Sequence, residues 1–252
     1  MSCVNTFVAD GVGWVVLDRA EQMNAITVEL AEQWETALRS HGEDPEVKVI
    51  AVRGTGGNFC AGGDFTEVQR LRAEGPDALT QLFTAFRRTC SAIAEVPQPV
   101  VAVVEGVAMA GGFEFVQASD VVLVHDDAKL SDNHVNFGQI PGGGGSQRLP
   151  RLVGRQRALG HMLTGERMSG RDAVMWGIAY RSFGENFDDE VQGFLSRMAS
   201  KESLSLQGIK GLVRSGEELS LDAALDMELE AVVAHIGGDA GGSGEFARRG
   251  TV

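Results

Sequence analysis

The chain of 252 residues contains no run of eighteen apolar residues, so no membrane-spanning helix is expected. It has only three cysteines, Cys3, Cys60 and Cys90, with no CxxC pair and no Cys/His cluster at zinc spacing. No metal site is therefore expected, and three thiols in a chain of this length suit a reducing, cytoplasmic compartment. Positive charge is scarce. Lysine and arginine total 22 against 35 acids, a formal net charge of -13. Nucleic acid requires a basic face and is not expected as a partner, whereas a small polyanion needs only a local group of donors. The opening MSCVNTFVADGVGWVVLDR lacks a basic segment followed by a cleavage site and is not arginine-rich, so no signal or transit peptide is expected. No linker rich in Pro or Ser divides the chain, and no fixed-period repeat is present.

What is abundant is glycine, 33 residues, many in short clusters where backbone can approach a ligand. Between the clusters, apolar runs alternate with helical periodicity. Gly13–Asp18, Val47–Gly54, Val100–Val104 and Val121–Val124 read as strands, and Lys129–Ser131 as a short one. Thr27 reads as an N-cap before a helix carrying Leu30, Trp34 and Leu38 on one face. Residues 77–95, Phe113–Ser119, Ser146–Gly160 and Arg171–Trp176 read as helices, and the pattern to His235 is helical. Strand–helix alternation followed by helices implies an α/β fold on a largely parallel sheet. The tail from Gly237 onward is glycine-rich with Arg248 and Arg249 near its end.

Two glycine turns each follow a strand: Cys60-Ala61-Gly62-Gly63-Asp64 and Met109-Ala110-Gly111-Gly112-Phe113-Glu114. Neither is GxxxxGK[ST] or GxGxxG, which weakens a nucleotide reading. A glycine turn at a helix start leaves backbone N–H groups pointing outward with the positive end of the helix dipole behind them. Two such turns converging on one oxygen would form an oxyanion hole. Glu114, just inside the second helix, is placed to act as acid or base beside it. The plainer alternative is a first-turn acid that stabilises the helix dipole.

The segments NFCAGGDF, VEGVAMAGGFEFVQASD, FGQIPGGGGSQRLPRLVG and MLTGERMSGRDAVMWGIA, with the opening VLDRAEQMNAIT, resemble the crotonase superfamily, the enoyl-CoA hydratase/isomerase family. The likeness covers roughly residues 10–185 in the family's order. It implies a crotonase spiral of ββα units over 1–185 and a C-terminal helical region, 186–252, that packs on neighbouring subunits. A homotrimer or dimer of trimers follows, as does an acyl-CoA substrate with no separate cofactor. The oxyanion donors would be the N–H groups of Gly63 and Gly111. Ala61 and Phe65 would flank the adenine of coenzyme A, with Asp64 closing that turn and Ala25 in the same CoA and substrate site. Glu114 falls on the family's first catalytic glutamate. The usual lysine before the "xNA" motif is Gln22 here.

One position departs from the pattern. Four residues before Gly138, where hydratases of the family carry a second glutamate, stands His134. Three readings stay open: His134 as second acid/base of an enoyl-CoA hydratase or isomerase, His134 as base in a C–C bond hydrolase of a β-dicarbonyl compound, or His134 as a loop residue beside a lone Glu114. An inactive acyl-CoA-binding relative is a further alternative. Asp132 shares a face with His134 on an extended chain and is a possible orienter, against the plainer role of a turn carboxylate. The glycine run 142–145 reads as the turn into the next helix. His41, His125, His161 and His235 match no motif and read as packing or surface groups, as do Tyr180 and the small apolar Cys60. Arg19, Arg53, Arg248 and Arg249 are candidates for CoA phosphates against the alternative of solvated surface charge.

Overall fold

The computed structural model describes residues 2–238. The tail and its candidate residues Arg248 and Arg249 lie outside the described residues. The chain opens with the hairpin β1 (Val4–Ala9) and β2 (Val12–Leu17), then passes a short 3-10 turn into α1 (Val28–Glu43). Next come β3 (Val49–Gly54), α2 (Phe65–Glu74), α3 (Pro76–Glu95), β4 (Val100–Val104), β5 (Val107–Met109) and α4 (Gly111–Ala118). The second half holds β6 (Val121–His125), β7 (Lys129–Ser131), a 3-10 turn (His134–Phe137), α5 (Gly145–Val153), α6 (Arg155–Thr164), β8 (Met168–Ser169), α7 (Gly170–Met175) and β9 (Arg181–Phe183). It closes with α8 (Phe187–Ala199), α9 (Ser203–Gly216) and α10 (Leu221–Gly237).

The main sheet runs β1-β2-β3-β4-β6-β9. Only β1 and β2 pair antiparallel; every other ladder of this sheet is parallel. Its central strands are apolar without interruption because both faces are covered. Ile50, Val52, Val100, Ala102 and Val104 point into one core with α1 and α3. The alternate residues Val49, Ala51, Val101 and Val103 meet Phe187, Val191, Leu195 and Ala199 of α8 in a second core. Thr27 caps α1 as its sequence suggests, its Oγ1 accepting the Leu30 N–H at 3.1 Å. Trp34, on the buried face of that helix, packs against Phe115 at 4.1 Å between ring centroids.

A smaller sheet, β5-β7-β8, sits beside the main one. Two of its strands, β5 and β8, the main-sheet strands β1 and β9 and the helix α2 were not expected from the sequence, and the helix expected over Ser146–Gly160 is two. Gly154 adopts φ +80°, ends α5 and starts α6. Among the described residues no helix is long and apolar enough to cross a membrane.

Candidate active site

The two glycine turns lie against each other. The Phe59 and Cys60 N–H groups donate to the Val107 carbonyl at 3.1 and 3.0 Å, and the Met109 N–H returns a bond to the Cys60 carbonyl at 3.0 Å. Asn58 Oδ1 accepts the Val107 N–H at 3.2 Å. Asn24, fully buried, holds the first turn from below, its Nδ2 donating to the carbonyls of Thr55 and Asn58 at 3.0 and 2.8 Å. Such contact demands glycine. A Cβ on Gly62 would lie 2.7 Å from Ala110 Cβ, and one on Gly112 would collide with the Cys60 carbonyl oxygen. Ala110 itself adopts φ +47°, a conformation that costs a non-glycine residue about 1–3 kcal/mol and is held here by the packed turns. Among the described residues, no protein acceptor takes the Gly63 or Gly111 N–H, and both glycines line one cavity of about 350 Å³.

Glu114 lies in the same cavity wall, 2% exposed. The glycine run does more than turn the chain into α5. The N–H groups of Gly143 and Gly145 both donate to Glu114 Oε1 at 2.8 Å, so the loop clasps one carboxylate oxygen. Side chains would prevent this. A Cβ on Gly143 would strike Phe86, and one on Gly145 would sit 2.9 Å from Asp132 Oδ2. Burial raises the Glu114 pKa; the Gly145 N–H, the neighbouring His134 and the Gly143 N–H oppose the rise without cancelling it.

His134 faces the other oxygen, with Nε2 3.7 Å from Glu114 Oε2. Its Nδ1 is 2.7 Å from Asp132 Oδ1. Asp132 is 1% exposed, not a solvent-facing turn carboxylate, and its Oδ2 is buried without a hydrogen-bond partner. A carboxylate on Nδ1 requires Nδ1–H there and turns Nε2 toward Glu114. Burial alone would lower the His134 pKa, but the Asp132 hydrogen bond and the Glu114 and Asp132 charges outweigh it and raise the value. Sequence reasoning missed a further buried group. His161 Nε2 accepts the Asp132 backbone N–H at 3.2 Å, and its ring stands between Phe113 and Trp176. Burial lowers the His161 pKa, which keeps the ring neutral and able to accept. Its distance from Asp132 in the chain hides it from any local motif.

Ala61 and Phe65 line the cavity, Phe65 at 68% exposure on the rim. Asp64 and Ala25 do not line it. Asp64 caps α2 through the Glu67 N–H at 3.0 Å and pairs with Arg19 at 3.0 Å, while Arg19 also donates to the Ala25 carbonyl. Arg53 is engaged by Glu105 and Asp188. Part of the cavity's apolar wall comes from α3, through Leu82, Phe83 and Phe86, and part from Ile26, Met109 and Ile140; the described C-terminal helices contribute none of it. Cys60 is buried, its thiol pushed up to about 12, which leaves it a packing group. Among the described residues no group of three or more His, Cys, Asp or Glu is arranged to hold a metal ion.

Comparison with known proteins agrees with this architecture. A family described as enoyl-CoA hydratase/isomerase matches residues 8–245. The chain is 29% identical over 231 residues to the 1,2-epoxyphenylacetyl-CoA isomerase of Escherichia coli K12, covering 90% of this chain and 88% of that one. It is 30% identical over 218 residues to the mitochondrial enoyl-CoA hydratase of Pongo abelii, covering 86% and 73%. The crystal structure of an enoyl-CoA hydratase from Polaromonas sp. JS666 superposes with a TM-score of 0.93 at 26% identity, over 98% of this chain and 96% of that one. The chain has the crotonase fold and belongs to the enoyl-CoA hydratase/isomerase family.

Proposed function

We propose that this chain is an enoyl-CoA hydratase/isomerase-type enzyme that moves protons on an acyl-CoA thioester through a stabilised enolate, with Glu114 and His134 as its acid/base pair. The observation that carries the reading is the 3.7 Å approach of Glu114 Oε2 to His134 Nε2 in a cavity that also holds the free N–H groups of Gly63 and Gly111. The thioester carbonyl accepts from those two N–H groups. Charge develops on its oxygen when a proton leaves carbon or water adds to the β-carbon. Each donor lowers the cost of that charge by about 3–4 kcal/mol in a dry site.

Glu114 Oε1 is tied to the glycine loop, so Oε2 is the oxygen that takes or returns a proton. In double-bond migration, Glu114 removes a proton from one carbon, the electron pair moves into the enolate, and a proton returns at a carbon two positions away. In hydration, a water touching both Oε2 and Nε2 gives its proton to one group, its oxygen bonds to the β-carbon, and the α-carbon is protonated by the other. His134 supplies the second group in either case, with Asp132 orienting the ring. These steps need no metal or redox group; coenzyme A enters as part of the substrate, its adenine between Ala61 and Phe65. We assign the chain to the cytoplasm on its low cysteine content, three in 252 residues with no CxxC pair. We also expect a homotrimer or dimer of trimers, supported by the exposed apolar residues of α10.

The test is turnover on enoyl-CoA thioesters of graded chain length, with products weighed to separate added water from isomerisation. Glu114→Gln is expected to lower kcat by about 10²–10⁴-fold with acyl-CoA affinity retained. Wild-type protein that binds acyl-CoA but turns over no ester would overturn the catalytic reading.

A further inference from the structure

The cavity contains polar side chains that the proton transfers do not use. Asn133 lines it, and its Oδ1 is buried without a hydrogen-bond partner. Arg167 lines it too and has no hydrogen-bond or ion-pair partner among the described residues. A buried polar atom is nearly always partnered, which singles out the Asn133 amide; Arg167 is exposed and brings a cation to the same cavity, so the two mark a place for a polar group of a ligand.

Their place in the fold says which part of a ligand they meet. β8 pairs antiparallel with β7, Met168 opposite Leu130, so Arg167 runs alongside the end of β7 where the chain enters Asp132, Asn133 and His134. Asn136 Nδ2 donates to the Gly165 carbonyl at 3.2 Å and ties the two segments together. Arg167 therefore belongs to the wall that carries His134, and not to the loop that carries Ala61 and Phe65. With a thioester carbonyl at Gly63 and Gly111, an acyl substituent extending past His134 meets Asn133 and Arg167.

We propose that Arg167 and Asn133 form a subsite for a second carboxylate on the acyl chain, which makes the protein selective for dicarboxylic acyl-CoA thioesters; this rests on the acyl-CoA reading above. A guanidinium binds a carboxylate through two parallel N–H···O bonds. A half-turn of the Asn133 amide presents Nδ2–H to the same group. Glu114 lines the same cavity and disfavours an incoming anion, so the cation is what makes its entry favourable. A plain hydrocarbon chain displaces water from Arg167 without replacement.

Calorimetric binding of butyryl-CoA and glutaryl-CoA tests this without relying on turnover. The wild-type protein is expected to bind glutaryl-CoA about 10- to 100-fold more tightly. Arg167→Met, at an exposed position where folding tolerates change, is expected to erase that ratio and leave butyryl-CoA affinity within about twofold. Equal wild-type affinities overturn the proposal. So does an equal loss for both esters in Arg167→Met, which would put the guanidinium on a CoA phosphate. Failure of turnover with the ratio intact overturns only the acid/base reading, and failure of either ester to bind overturns both.

Discussion

At the scale of the residue, His134 is decided by its two neighbours. Asp132 holds Nδ1 and Glu114 faces Nε2, and together they raise the ring's pKa against the burial that would lower it. A raised folded value means that the native state holds the proton more tightly than the unfolded chain does. The stabilisation is fully present below about pH 6.5, the ordinary histidine value, and is lost as pH rises through the folded value. Glu114 is raised as well, so its contribution has the same sign, falling as pH climbs through its own folded value. Stability measured by denaturant titration should therefore decline above about pH 6.5, and His134→Gln should flatten that decline. Superimposable slopes for the two proteins would remove His134 as the titrating group. By NMR, Asp132→Asn should move the His134 ring titration to lower pH, because the anionic acceptor is gone.

At the scale of the element, the turns govern the site more than the helices do. Gly112 packs its Cα hydrogens against the Cys60 carbonyl, and a methyl group there must push the two glycine turns apart. Gly112→Ala should cost about 1–3 kcal/mol of stability, read as a lower Tm, and should depress turnover further than the loss of folded protein explains. An unchanged Tm would show that the turns have slack. Among the strands that sequence reading recovered, Val100–Val104 and Val121–Val124 are largely buried runs whose composition is sufficient evidence. β5 was missed because three residues among glycines carry no period, and their strand state comes from pairing with β7, where Val107 meets Lys129 and Met109 meets Ser131. The break between α5 and α6 was missed because apolar spacing continues across Gly154, while the positive φ that ends the helix leaves no trace in that spacing.

At the scale of the whole molecule, α10 packs on α9 and buries none of its own residues. Leu221, Leu225, Leu229, Val233 and Ile236 remain exposed on it, more apolar surface than a helix facing only water retains. A second copy of the chain is the expected cover. Light scattering after gel filtration should give a trimer or hexamer, and Leu225→Glu with Leu229→Glu should shift it toward monomer. A monomeric wild-type protein at micromolar concentration would contradict the assembly.

The sequence by itself determined the α/β class, the order of the motifs, the two glycine turns and the identity of Glu114 and His134 as the residues to watch, because turn chemistry, apolar periodicity and motif spacing are all local. Only the tertiary structure decided what those residues face. The clasp of Gly143 and Gly145 on Glu114 joins segments 29 and 31 residues apart. The burial of Asp132 against His134, the support of Asp132 by His161 and the presence of Arg167 in the cavity likewise depend on how β7, β8 and α6 pack. Non-local distances of this kind are set by strand pairing and core packing, and spacing along one chain does not encode them. That is why the glycine run reads in sequence as a turn into a helix and in the fold as the cradle of the buried carboxylate as well.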